Sequence, residues 1–143
     1  MDEEKGMERS FLMIKPGSVE RGLVGEIVGR FEKKGMKILA LKLSKPNKEL
    51  MEKHYEEHRG KDFFEGLVAY MTSGLAVSLV IEGKNAIAVA RKISGVTDPK
   101  EAIPGTIRGD YGIDIRRNVI HASDSETAAK REIALHFPEL CAN

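Results

Sequence analysis

The sequence contains a single cysteine, Cys141, and no long apolar run. One cysteine cannot form a disulfide within the chain, and such a composition is compatible with a reducing compartment. No segment approaches the roughly 20 apolar residues that cross a bilayer, and the polar, acidic residues 1–5 are unlike a secretory signal. We therefore expect a cytoplasmic protein with no membrane partner.

The chain also lacks an excess of charge of either sign. It has 23 lysines and arginines against 22 aspartates and glutamates, for a formal net charge of +1. This balance argues against a dedicated nucleic-acid or acidic-membrane binder that relies on bulk charge. At 143 residues the chain has the size of one domain, and we expect residues 1–143 to form a single globular unit.

Two common phosphate-binding motifs are missing as well. Neither the P-loop pattern GxxxxGK(S/T) nor the dinucleotide pattern GxGxxG occurs. Positive charge instead gathers at Arg108, Arg116 and Arg117, where it would attract phosphate oxygens or form a solvated face. Because Thr106 and Arg108 follow the rigid turn Pro104-Gly105, we expect a hydroxyl and a guanidinium there to be suited to holding a phosphate.

Hydrophobic periodicity predicts strands and helices in a regular order. Strands are predicted at 10–14, 36–43, 76–81 and 119–122. Helices are predicted at 23–31, 48–59, 63–70, 87–93 and from about 124 to 137, with Gly35 and Gly95 closing two of them. The segment between Gly95 and Val119 is predicted to be irregular. An irregular segment of this length indicates either disorder or function.

This order contains a β-α-β-β-α-β core. We therefore predict an α/β fold, an α+β sandwich of the ferredoxin-like type. Its four-stranded antiparallel sheet would be covered by helices, with a long loop before the last strand.

His121 is the candidate nucleophile. It lies at the end of an apolar strand, and a neutral imidazole accepts a phosphoryl or acyl group directly. Strand alternation places Val119, His121 and Ser123 on one face, and Glu132 falls on the inner stripe of the next helix, within reach of Ser123 or the ring. Ser123 and Glu126 also fit a capping box. Two alternatives stay open: a packed histidine satisfied by backbone groups, and a Glu132 that snorkels to solvent.

Three other groups have both a structural and a functional interpretation. Lys15 ends the first predicted strand, where a lysine is ordinarily solvated but where small α/β domains also place functional groups. His54 and His58 have a spacing that suits metal binding, but their charged neighbours and the lack of a third ligand favour a solvated helix face. Phe63 and Phe64 are interpreted as core, with a base-stacking platform as the minority alternative.

Several segments resemble motifs of the nucleoside diphosphate kinase family. Asn118-Val119-Ile120-His121-Ala122-Ser123-Asp124 resembles the active-site signature Asn-x-x-His-(Gly/Ala)-Ser-Asp, and Pro104-Gly105-Thr106-Ile107-Arg108-Gly109-Asp110 matches the PGTIRGD loop. Further motifs occur in the family's order: Lys15-Pro16, Arg21 to Ile27, His54-Tyr55, Phe63-Phe64-x-x-Leu67 and Glu82-Gly83. The resemblance runs from about Arg9 to Phe137, and so many motifs in register make chance agreement very improbable.

The resemblance implies a ping-pong enzyme. A nucleoside triphosphate such as ATP or GTP would pass its γ-phosphoryl group to His121, and the phosphohistidine would pass it to a different diphosphate such as ADP or GDP. The implied catalytic residues are His121, Lys15, Glu132, Ser123 and Tyr55. The implied nucleotide-binding residues are Lys15, Phe63, Arg91, Thr97, Arg108, Ile115 and Asn118. Mg²⁺ would arrive with the nucleotide phosphates, so no residue is predicted to bind metal.

The base would lie between Phe63 and Ile115. Because every base has a π face, stacking on Phe63 predicts low base specificity. Arg116 stands where the family usually has Gly, and it would alter nucleotide affinity or add a phosphate contact; the sequence leaves open which. Gly17-Ser18 and Leu75 are two further departures from the usual pattern.

The resemblance also bears on assembly. Members of the family are generally hexamers or tetramers, and Pro104 lies in a segment that resembles their trimer contact, which favours a homo-hexamer. The alternative function is a noncatalytic nucleotide or nucleic-acid binding module on the same fold. The near-neutral charge and the lack of an aromatic RNP pattern count against that alternative.

Overall fold

The structure is a computed structural model that describes residues 5–141. Its strands are β1 (Met7–Ile14), β2 (Lys37–Ser44), β3 (Ala76–Lys84) and β4 (Ile120–Ala122). Its α-helices are α1 (Val24–Lys33), α2 (Lys48–His54), α3 (Phe64–Met71), α4 (Ala86–Ser94), α5 (Ile107–Tyr111) and α6 (Glu126–His136), and short 3-10 turns lie at Glu56–His58 and Pro138–Cys141. Within residues 5–141, every helix is too short or too polar to cross a membrane.

The strands form one antiparallel sheet in the order β2-β3-β1-β4. A long ladder joins β1 to β3, from Met7 opposite Lys84 to Ile14 opposite Val77. By contrast, β4 contributes only three pairs, one of which sets His121 opposite Met13 of β1. The predicted ferredoxin-like fold is confirmed, and its topology brings His121 beside β1, one of the two inner strands of the sheet.

Apolar residues cover both faces of the sheet. Alternate residues of β1 face opposite layers, so Leu12 packs in a cluster with Phe31 of α1, whereas Phe11 packs in a second cluster with Ile133 of α6. All four apolar residues from Phe11 to Ile14 are fully buried. A strand covered on both faces has no polar alternation, which explains the continuous apolar run in the sequence.

Most predicted elements are confirmed with shifted boundaries, but three differ in extent or type. β1 begins at Met7 rather than Ser10, and α2 ends at His54, where a 3-10 turn replaces the predicted helix to Arg59. The segment predicted to be irregular contains α5, whose N-cap Thr106 accepts a hydrogen bond from the Gly109 N–H at 3.0 Å. Five residues that include a glycine are too few to show helical periodicity. The Thr106 hydroxyl predicted to hold phosphate is thus used in the cap.

The approach to α6 also differs from the prediction. The N-cap is Ser125, which accepts from the Ala128 N–H at 3.0 Å, so the capping box of Ser123 and Glu126 is wrong. Val119 has a φ of 76°, and its side chain packs in the same cluster as Ile120. A left-handed residue breaks strand alternation, and the prediction that Val119 shares the face of His121 is therefore wrong.

Candidate active site

One open cleft of about 1200 Å³ brings together most of the residues named from the sequence. Ten of them line it: Lys15, Tyr55, Phe63, Arg91, Thr97, Arg108, Ile115, Asn118, His121 and Glu132. The remaining one, Ser123, is fully buried next to Glu132. The cleft is therefore assembled from segments that are distant in the sequence and that meet where β1 ends and β4 begins.

The His121 ring is held by one hydrogen bond at Nε2. This nitrogen lies 2.8 Å from Glu132 Oε1, and because a carboxylate only accepts, Nε2 carries the proton and Nδ1 keeps the lone pair. The His121 side chain is 20 % exposed. Burial, aided by the charges of Lys15, Arg108 and Arg91, lowers the pKa of His121 to about 3. The ring is therefore a neutral nucleophile at physiological pH.

Glu132 is anchored from two sides. Its Oε1 accepts from the Ser123 hydroxyl at 2.7 Å as well as from His121, and Ser123 Oγ in turn accepts from the Phe11 N–H at 3.2 Å. With a side chain only 5 % exposed, Glu132 does not snorkel to solvent. Burial raises its pKa, and the hydrogen bond from the Ser123 hydroxyl, which favours the carboxylate, opposes this shift. The carboxylate thus fixes both the tautomer and the orientation of the His121 ring.

Lys15 is buried, contrary to the expectation that a strand-end lysine is solvated. Its Nζ donates to Asn118 Oδ1 at 2.7 Å, and Asn118 Nδ2 donates to the Thr97 carbonyl at 3.0 Å. The turn after it closes through the Ser18 N–H on the Lys15 carbonyl at 3.1 Å, with Gly17 at a φ of 90°. Burial and the nearby Arg108 lower the pKa of Lys15 to about 7. An approaching anion would favour its charged form.

Arg108 secures the segment that leads into β4. Its guanidinium donates to three backbone carbonyls, those of Ile120 at 2.6 Å, Gly95 at 2.9 Å and Asn118 at 3.3 Å. Arg91, on α4, donates to the Ala122 carbonyl at 3.1 Å. Burial lowers the pKa of Arg108 to about 10, so it stays a cation. Both guanidinium groups thus face the cleft from fixed positions.

The other end of the cleft is apolar and open. Phe63, just before α3, is 45 % exposed, and Ile115 is 62 % exposed. The segment that carries Ile115 is held by Asp114, which accepts from the Arg117 backbone N–H at 2.8 Å and from Arg117 Nε at 2.9 Å. Phe64 is core as predicted, but the core interpretation of Phe63 is wrong because its ring lines the cleft.

Sequence reasoning missed a buried histidine pair beneath the nucleophile. His54 is only 2 % exposed, its Nδ1 lies 2.9 Å from Nε2 of His136, and its ring meets the His121 ring edge-on at 4.7 Å. The expectation of a solvated face is wrong for His54, because the end of α2 packs against α6. Burial lowers the pKa of His136 to about 4 and that of His54 well below its usual value. The apolar stripe of α6, which includes His136, was the signal for this pair.

The donor set does not form a cage for Mg²⁺. Nitrogens of His54 and His121 and an oxygen of Glu132 lie within 4.8 Å of one another, but Mg²⁺ prefers oxygen ligands. The Glu132 oxygen that bonds His121 also accepts from Ser123, and the positive charges of Lys15 and Arg108 lower the pKa of His121. A resident Mg²⁺ held by these three residues therefore does not fit.

A neutral imidazole held by a carboxylate, with buried cations around it, is suited to transferring an anionic group. Together with the sheet, this arrangement defines a ferredoxin-like group-transfer enzyme. Comparison with known proteins narrows the class. The family model described as nucleoside diphosphate kinase matches residues 8–141. This chain belongs to the nucleoside diphosphate kinase family.

Individual relatives agree over nearly the whole chain. Nucleoside diphosphate kinases of Pelotomaculum thermopropionicum and Archaeoglobus fulgidus are 64 % and 58 % identical to it, covering 92 % and 93 % of this chain and 88 % of each relative. The halophilic enzyme of Halobacterium salinarum, solved with CDP, has a TM-score of 0.89 at 50 % identity over 91 % of this chain and 87 % of its own. The Aquifex aeolicus enzyme has a TM-score of 0.91 at 41 % identity, with 94 % and 97 % covered.

Proposed function

We propose that this chain is a nucleoside diphosphate kinase that works through a phosphohistidine at His121. The observation that carries the proposal is the bond from His121 Nε2 to Glu132, because it leaves the Nδ1 lone pair for attack. Nδ1 attacks the γ-phosphorus of a nucleoside triphosphate, the bond from that phosphorus to the β,γ-bridging oxygen breaks, and the diphosphate departs with the electron pair. A terminal oxygen of a second nucleoside diphosphate then attacks the phosphohistidine and restores His121.

The cations and neutral donors supply most of the catalysis in this proposal. Phosphoryl transfer depends on positioning and on stabilising the charge that spreads over the transferred oxygens. Lys15, Arg91 and Arg108 would balance that charge, and the hydrogen bonds among Lys15, Asn118 and the Thr97 carbonyl hold the first of these cations in place. We assign Tyr55, which is buried and lines the cleft, to a neutral hydroxyl donor, since burial raises its pKa.

Ser123 and Glu132 act through the ring in this mechanism. When His121 is phosphorylated on Nδ1, the imidazole gains positive character, and the Glu132 carboxylate at 2.8 Å stabilises it. Ser123 keeps that carboxylate in position. The nucleobase would stack between Phe63 and Ile115, whose exposed side chains form the two walls of the open end.

Mg²⁺ belongs to the substrate in this proposal. It would arrive on the nucleotide phosphates and neutralise part of their charge, while Lys15, Arg91 and Arg108 bind the remaining oxygens.

We also propose a cytoplasmic location, and a homo-hexamer rather than a tetramer. Ile103, next to Pro104, is 73 % exposed, which supports a subunit contact at that loop. Sedimentation velocity would give the subunit number.

Mass measurement of the protein after incubation with ATP and Mg²⁺ tests the proposed function. We expect wild-type protein to gain one phosphoryl group, to lose it when GDP is added, and to yield GTP. His121→Gln should gain none, because an amide is not a nucleophile at this pH. Phosphate that stays on the variant and resists base would place the phosphoryl group on another residue and overturn the assignment.

A noncatalytic binding module on the same fold is the rival function. It predicts nucleotide binding with no covalent label on either protein. Every relative named above is a nucleoside diphosphate kinase, so this alternative is not favoured.

A further inference from the structure

Arg116 spans the open end of the cleft. It follows Ile115, which forms one wall, and its guanidinium lies against Gly66 of α3, on the side of the other wall. A Cβ placed on Gly66 would stand 2.8 Å from Arg116 Nη2, so the guanidinium occupies the space that a side chain at this position would take. Phe63 is three residues before Gly66 in helical backbone, and residues at this spacing are neighbours on a helix surface.

Arg116 and Arg117 differ in what their guanidinium groups do. Arg117 is committed to Asp114 through Nε at 2.9 Å. Within residues 5–141, no carboxylate or carbonyl accepts a hydrogen bond from the side chain of Arg116. Its guanidinium is thus a planar set of donors that remains available at the apolar end of the cleft.

Arg116 also lies away from the part of the cleft around His121, where the phosphates would bind. The cations there, Lys15 and Arg108, are buried around His121, whereas Arg116 is exposed beside Phe63 and Ile115. A nucleotide that presents its γ-phosphorus to His121 and its base to Phe63 would therefore meet Arg116 with its base. This step rests on the proposed function.

We propose that Arg116 is a specificity-determining residue that recognises the acceptor edge of guanine. Guanine presents O6 and N7 side by side, and a guanidinium donates to both at once. Adenine presents an amino donor next to N7, which opposes the donors of Arg116. Stacking between Phe63 and Ile115 accepts any base, so the preference among bases comes from this contact. Because the site is open to solvent, we expect a preference of about three- to tenfold rather than the larger factor of a buried pair.

Equilibrium binding of GDP, IDP and ADP to the full chain, followed by calorimetry, tests this inference. Hypoxanthine keeps O6 and N7 but lacks the 2-amino group of guanine. We therefore expect GDP and IDP to bind about equally, and both about three- to tenfold more tightly than ADP. In Arg116→Gly the three affinities should converge. Lys130→Gln removes the same charge from an exposed position on α6 outside the cleft, and it should keep the wild-type ratio.

Three results would overturn the inference: equal affinities for GDP and ADP in the wild type, a GDP preference that persists in Arg116→Gly, or a GDP affinity well above that for IDP. The last would point to a group that accepts from the 2-amino group. Binding of diphosphates alone involves no transfer, so this experiment gives its answer even if the ATP-treated protein carries no phosphoryl group. Failure of the proposed function and failure of this inference are thus read from different measurements.

Discussion

The two ends of the cleft are built in opposite ways. At the end around His121, where we propose that the phosphates bind (the phosphate end), Lys15, Arg108, Asn118 and Glu132 are all at most 6 % exposed, and each is tied by hydrogen bonds to the strands or to one another. At the opposite end, where we propose that the base stacks (the base end), Phe63 and the loop around Ile115 are about half exposed. Phosphoryl transfer needs hydrogen-bond donors that are fixed before the substrate arrives, whereas base stacking tolerates movement. The contrast therefore indicates that the phosphate end is held rigid, whereas the base end is left free to accept different bases.

Replacing Arg108 by Lys should break the phosphate end most severely. A lysine ammonium does not reproduce the fork that reaches the carbonyls of Gly95, Asn118 and Ile120, so buried acceptors lose their partners. We expect the free energy of unfolding to fall by about 3 kcal/mol in urea titrations at neutral pH.

Arg117→Lys is the matched control, because its partner Asp114 and Arg117 itself are exposed at the base end. It should change stability little. If both variants lost a similar free energy of unfolding, the two ends of the cleft would be equally rigid, and the contrast between them would be wrong.

Glu132→Gln should separate chemistry from binding. The amide keeps the shape of the side chain but removes the charge that orients and stabilises the His121 ring. We expect kcat to fall about 10- to 100-fold with little change in the KM for nucleotides. Steady-state kinetics with ATP and a second diphosphate gives both constants. Glu126→Gln, exposed in the first turn of the same helix, should match the wild type, and a Glu132 variant with normal kcat would refute the positioning role.

Phe63→Ala should have the smallest effect and act on the opposite constant. Loss of the exposed ring removes a stacking surface, which we expect to raise the KM for nucleotides about tenfold while kcat is kept. Leu75→Ala is a matched control, since Leu75 is likewise 45 % exposed but lies outside the cleft. If kcat fell while KM stayed constant, Phe63 would belong to the chemical step instead of the base site.

The order of strands and helices could be predicted from the sequence because most of these elements bury apolar residues that repeat with a regular period. The β1 run from Phe11 to Ile14 packs in both core clusters and the stripe of α1 packs in one of them, so pattern and packing agree. Motif resemblance named all eleven candidate site residues, and ten of them line one cleft. Their chemical roles, and the expectation that residues 1–143 form one domain, stay predictions.

The features that sequence reasoning missed depend on tertiary contacts. The cap of α5 at Thr106 is local but too short to show a period. The burial of Lys15 arises when the segment before β4 packs against the end of β1, and lysine is almost never fully buried unless paired. The bond between His54 and His136 arises only when α2 and α6 meet. The left-handed backbone of Val119 runs against the preference of a β-branched residue, so no local rule would have placed it there.

The left-handed Val119 helps to fix the register of β4, the shortest strand. Three pairs with β1 are a weak determinant of alignment, and a slip by one position would turn the imidazole of His121 to the opposite layer. Because Val119 has a left-handed φ, its side chain lies in the apolar layer with Ile120 while its carbonyl accepts the Lys15 N–H at 2.8 Å. The backbone of Lys15 and the strand that carries His121 are thereby joined through one residue, which sets the position of the lysine relative to the nucleophile.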